Sequence, residues 1–154
     1  MIIDHIGNGD LLRLHKTAFL ASSTIPVDKV LSCYDWAHRM CRENRCVVSG
    51  FSSHLEKEVF DILLHGTQPV ILVLARRLYR QPPPHLLPHL QSGRLLIIST
   101  STAPRQSKST AFTRNQYICE IADEILFVAA EAGSSLASLE RMYKEKTFIH
   151  DIKA

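Results

Sequence analysis

Five short apolar runs in this chain show no polar alternation. Pro69-Val-Ile-Leu-Val-Leu74 is the clearest, followed by Leu95-Leu-Ile-Ile-Ser99, the run Glu124-Ile-Leu-Phe-Val-Ala-Ala130, Thr17-Ala-Phe-Leu-Ala21 and Cys46-Val-Val-Ser49. A strand with one wet face alternates apolar and polar residues, whereas a continuous apolar run fits a strand covered on both faces. Between the runs lie segments with helical spacing, so the order reads strand, helix, strand, helix. That order predicts a mostly parallel sheet with helices on both sides, a doubly wound Rossmann-like three-layer α/β/α domain.

The helices can be placed from their signals. Pro26 stands where a helix begins, and Val27, Val30, Leu31, Tyr34, His38 and Cys41 recur at three-to-four spacing as its inner face. Ser53 and Glu56 have the spacing of a capping box, and Leu55, Val59, Ile62 and Leu63 mark the face behind it. One or two helical turns are expected over 85–91, a short helix from Arg114 to about Ile121, and a last helix from Ser135 to Lys146. Residues 75–84, with three consecutive prolines, and 100–110, small and polar, read as loops. Residues 1–15 read as a lead-in in which Ile2, Ile3 and Ile6 pack on the domain and Leu11, Leu12 and Leu14 form a helical turn. Thr147-Phe-Ile-His150 is expected to be a closing strand, and all 154 residues form one domain.

Composition narrows the function classes. The chain is 45% hydrophobic and 21% charged, which is globular, and no apolar run reaches the roughly 18 residues of a membrane span. No basic start with an apolar core opens the sequence, so a soluble, cytoplasmic protein is expected, with no membrane partner. The net charge of +3 is compatible with a polyanionic partner. The four cysteines and eight histidines show no metal-ligand spacing, so no metal site and no cofactor is expected, and the thiols read as buried and free. Neither G-x-G-x-x-G, nor the P-loop, nor G-x-S-x-G occurs.

In a doubly wound sheet the ligand crevice lies outside the carboxyl ends of the strands. The loops there carry Ser22 and Ser23, Ser49 and Gly50, Arg76 and Arg77, the Arg114-Asn115 pair at a helix start, and Glu131, Gly133, Ser134 and Ser135. Hydroxyls, glycines, arginines and helix N-termini suit a phosphate group. Each also has a plainer reading: Ser134 or Ser135 as a helix cap, Ser22 and Ser23 as a strand end, and the arginines as solvated charges. Glu131 at the end of a buried strand favours a paired or functional acid.

Four passages in this order resemble the Rossmann core of the DNA-processing protein A family (DprA/Smf). They are Ala21-Ser22-Ser23, where the family has Gly-Ser-Arg, followed after a helix by Val47-Val48-Ser49-Gly50; FSSHLEKEVF (51–60), in the frame of the family's L-A-R-G-I-D-x-x-A-H; Phe112-Thr113-Arg114-Asn115-Gln116; and Phe127 to Ala132 with Gly133-Ser134-Ser135-Leu136. The likeness runs from about residue 11 to residue 150. The family's second-loop Arg, Asp and His fall on Ser53, Glu56 and Phe60. The resemblance implies a crevice for nucleotide phosphate or single-stranded nucleic acid, without catalysis, in a homodimer. Two alternatives accompany it. One is a nucleoside-monophosphate phosphoribohydrolase similar to the Lonely-Guy group, with Glu131 as the acid. The other is a nucleotide-sensing or interaction module whose crevice is degenerate.

Overall fold

The computed structural model describes residues 2–147. It holds one six-stranded sheet. β1 (Asp4–Gly7) precedes a 3-10 turn (Gly9–Arg13) and β2 (Lys16–Ala21). Then come α1 (Val27–Arg42), β3 (Cys46–Ser49), α2 (His54–Leu64) and β4 (Val70–Leu74). A 3-10 turn (Pro84–Leu86) runs into α3 (Leu87–Gln91), followed by β5 (Leu95–Ser99). α4 (Lys108–Ile121), β6 (Glu124–Val128) and α5 (Ser135–Met142) complete the pattern, with a last 3-10 turn at Lys144–Lys146.

The strand order is β1-β5-β4-β3-β2-β6, parallel throughout except for β1, which pairs antiparallel with β5. Successive crossovers carry the chain outward from β2 to β5. The crossover through α4 then brings β6 back to the other side of β2, so the switch point lies between β2 and β6. Continuous apolar runs are explained by two separate cores. Phe19, Val47, Leu72, Leu95 and Leu126 face α1 and α2, while Leu20, Val48, Ile71, Leu96 and Ile125 face α4 and α5. Alternate side chains therefore go to opposite faces and both faces are dry. Among the described residues, no helix is long and apolar enough to cross a membrane.

Four expectations need correction. Residues 4–7 of the lead-in add an edge strand, and Ile2 and Ile3 are exposed rather than packed. In α1 the buried stripe is Cys33, Trp36, Ala37 and Met40, with Trp36 stacked on Phe19 at 5.1 Å between ring centroids. Val27 and Leu31 instead face outward at 79% and 61% exposure, and Val30, Tyr34 and Cys41 sit at the shoulder, because the apolar positions of this helix allow two overlapping stripes and the sheet accepts only one. α4 starts at Lys108, a turn and a half before the expected Arg114, since Ser107 accepts from the Thr110 N–H and Thr110 Oγ1 accepts from the Ser107 N–H. Threonine here fills the place where Glu or Gln marks a capping box in sequence. β6 ends at Val128, two residues short, where Ala129 turns to a φ of +50°. The expected closing strand is represented by Thr147, which bridges to Ile125; Phe148 to His150 lie outside the described residues.

Candidate phosphate-binding crevice

All the singled-out residues lie at the carboxyl edge of the sheet; most of them divide between two cavities and a groove, while Ser49, Arg77 and Gly133 line none of the three. The first cavity, about 380 Å³, opens above β3 and β4 and is lined by Gly50, Phe51, Ser52, Lys57, Arg76, Tyr79, His85, Gln106 and Arg114 among others. The second, about 230 Å³, lies at the switch point between the loops after β2 and β6. Ser22, Ser23, Thr24, Glu131, Ser134 and Ser135 line it with Ala21 and Leu136. An open groove along α4, holding Lys108, Phe112, Thr113 and Asn115, meets the second cavity at Ser135.

Arg114 lines the first cavity. It sits in the second turn of α4 rather than opening the helix, and it is only 3% exposed. Its Nε donates to Asn115 Oδ1 at 2.8 Å, Nη1 to the Val73 carbonyl at 3.3 Å and Nη2 to Ser52 Oγ at 3.1 Å. These three bonds leave two of the five guanidinium N–H donors for other partners. Burial pushes its pKa below the ordinary arginine value, and the nearby Glu56 carboxylate pulls it back up. A Cβ on Gly50 would run into the guanidinium, so the glycine serves close approach. Asn115 is therefore an acceptor for its neighbour and not a helix cap.

The next loop supplies Arg76, whose guanidinium lies 5.4 Å from the centre of the Tyr79 ring. Ser99 Oγ donates to the Arg76 carbonyl at 2.6 Å and the Arg77 N–H donates to the Ala103 carbonyl at 2.7 Å, which locks this loop to the one after β5. Arg77 itself points to solvent and lines neither cavity. On the inner wall Phe51 adopts φ +48°, unusual for a residue with a side chain, and its ring stacks on Phe60 at 4.3 Å. Ser49 is fully buried and accepts from the Phe51 N–H, so it shapes the turn and does not face the cavity.

The switch-point cavity has a different chemistry. Ser134 caps α5 by accepting from the Ala137 N–H, and its Oγ donates to the Glu131 carbonyl. Ser22 Oγ donates to the Ala129 carbonyl at 2.6 Å, tying the two loops across the switch point. Glu131 is exposed, contrary to the expectation of a paired acid at a buried strand end, because the strand has already ended at Val128. Gly133 takes a φ of +83° for the turn and lines neither cavity. The lining here holds hydroxyls and one carboxylate but no cation.

Three lining residues escaped the reading of the sequence: Lys57, His85 and Gln106. Lys57 was detectable in principle, since the first turn of a helix after a sheet-edge loop faces the crevice. His85 and Gln106 belong to segments whose path across the cavity is set by tertiary packing alone. Among the described residues no cluster of His, Cys, Asp or Glu is arranged to hold a metal ion.

No protein-family model matches the chain, and no curated protein matches it in sequence. Solved structures do. The chain is similar to DNA processing protein A from Helicobacter pylori, a structure described for its single-stranded DNA binding mode, at a TM-score of 0.72 and 17% identity over 94% of this chain and 69% of that one. DprA from Streptococcus pneumoniae superposes at a TM-score of 0.74 and 18% identity, again over 94% of this chain, which spans 53% of the longer protein. The molybdenum cofactor carrier protein from Chlamydomonas reinhardtii is more distant, at a TM-score of 0.54 and 9% identity over 87% of this chain and 73% of that one. In fold, the chain is a DprA-like Rossmann core.

Proposed function

We propose that this chain is a non-catalytic module that binds single-stranded nucleic acid through its phosphates, at the first cavity. The observation that carries this reading is the buried Arg114 guanidinium, with two N–H donors not used within the chain, lining one cavity with Lys57, Arg76 and the ring of Tyr79. Cations that track phosphate and rings that stack bases are the two parts of single-strand recognition. Similarity to DNA processing protein A from Helicobacter pylori supports the same ligand class. Ser22, Ser23, Glu131, Ser134 and Ser135 belong to this reading as hydrogen-bonding groups along the strand's path, while Gly50 admits Arg114.

The phosphoribohydrolase alternative requires an acid that faces the ligand, which the buried Glu56 behind the wall does not. The lining of the first cavity contains no Asp or Glu, and Glu131 lies in the other cavity. Geometry therefore favours binding over chemistry.

Binding of oligothymidylate, a duplex of equal length and thymidine monophosphate, titrated with salt, tests the proposal. Three cations on the strand give a log–log slope of about −2, at roughly −0.7 per phosphate for single strands. A mononucleotide held as tightly as the polymer would replace the polymer reading by a nucleotide-sensing one. Absence of binding to all three at low salt would falsify the function. The homodimer implied by the family resemblance is part of the proposal, and sedimentation showing only monomer across the accessible concentration range removes it.

A further inference from the structure

Glu56 is an acid at 5% exposure with no salt-bridge partner within 4 Å among the described residues, a costly placement that needs compensation. Its two carboxylate oxygens supply it by accepting three backbone N–H groups, one from the last residue of β2 and two from the loop after β3. Oε2 accepts from Ala21 N at 2.9 Å, at the end of β2. Oε1 accepts from Ser52 N at 3.0 Å and Ser53 N at 3.2 Å, in the loop after β3. A capping box needs only the contact with Ser53. The other two bonds do something a cap does not: they fix the distance between the loop that enters the switch-point cavity and the loop that walls the cationic one. Ser52 carries the chain of contacts on, since its Oγ accepts from Arg114 Nη2. Arg114 also feels the Glu56 charge directly.

We propose that Glu56 is the positioning residue of the crevice. It holds the loops after β2 and β3 at one spacing and, through Ser52, orients Arg114 toward the ligand without touching the ligand itself. The inference rests on the nucleic-acid reading above and names a residue through which that site would be assembled.

Electrostatics and positioning make opposite predictions here, which makes the role measurable. Glu56→Gln removes a negative charge beside an anion site, and by charge alone it should tighten binding to a polyanion. A carboxamide, however, has one accepting oxygen and an NH2 that opposes a backbone donor, so one loop is released. The expected result is a loss of oligothymidylate affinity of about tenfold, the scale of one unpaired buried donor, despite the more positive protein. Ser52→Ala, at a half-buried site that leaves every backbone bond of Glu56 in place, is the companion variant and should also weaken binding. Circular dichroism and thermal melts report whether each variant is folded.

Wild-type binding with Glu56→Gln folded and binding equally or more tightly overturns the positioning role. Ser52→Ala binding like wild type also overturns it, and this variant decides the matter if Glu56→Gln does not fold. No binding by the wild-type chain is a separate result: it removes the nucleic-acid reading and this inference with it.

Discussion

Gly50 does not take a left-handed backbone, so its value lies in the space it leaves for the Arg114 guanidinium. Gly50→Ala forces that side chain away from Val73 and Ser52, and overpacking of this kind costs about 1–3 kcal/mol. Urea denaturation should show the loss, and oligonucleotide affinity should fall with it. Of the four thiols, three are buried and Cys41 is half-buried, and none lines the first cavity. Burial raises Cys33, Cys46 and Cys119 to pKa values of about 12, well above neutrality. Their thiolate fraction at neutral pH is negligible, so a thiol reagent should label at most the half-buried Cys41 in the native protein and all four cysteines only after unfolding. Rapid labelling of more than one thiol under native conditions would contradict the packing.

At the scale of elements, α1 tests how the sheet chooses a helix face. Trp36 is buried against Phe19, whereas Leu31 lies on the outer side. Trp36→Ala should destabilise by about 3–5 kcal/mol and Leu31→Lys by no more than about 0.5 kcal/mol, compared by chemical denaturation. Had the stripe of Val27, Leu31 and His38 been the inner one, the ranking would reverse. The start of α4 offers a smaller effect. Ser107→Ala removes the acceptor for the Thr110 N–H and should cost about 1 kcal/mol. Its consequence reaches the crevice, because the first turns of α4 fix where Arg114 enters the cavity wall.

For the whole molecule, the joint between β2 and β6 carries the sheet across its switch point. Asp123 Oδ2 accepts from the Lys16 N–H at 2.8 Å and lies 3.8 Å from the Lys16 ammonium. The backbone donor, followed by the charges of Lys16, His15 and Lys146, holds its pKa below the ordinary carboxylate value. A depressed folded-state pKa gives stability that is present above the unfolded pKa and lost as pH falls through the folded one. Asp123→Asn should therefore lower the melting temperature at neutral pH, and the gap from wild type should close in acid, below the usual range of aspartate. Asp123 is about half exposed, so solvent screening keeps the effect modest. A gap that persists unchanged into acid would assign the loss to packing.

Much of the architecture was legible in the sequence for a local reason. Continuous runs such as Val70 to Leu74 and Leu95 to Ile98 can be dry on both faces only inside a covered, mostly parallel sheet, and Ser53 with Glu56 marks a helix start by spacing alone. The carboxyl edge where the serines, glycines and arginines gather follows from that topology. Tertiary structure decided the rest, because it depends on which surfaces meet. It selected Trp36 over Leu31 for the core, and it buried Arg114 over Gly50 in the middle of α4. It also parted one expected phosphate crevice into a cationic cavity above β3 and β4 and a hydroxyl-lined one at the switch point. Sequence spacing orders residues along each loop, but the distance between loops is set by the strands beneath them and by contacts such as those of Glu56, which join residues 35 positions apart.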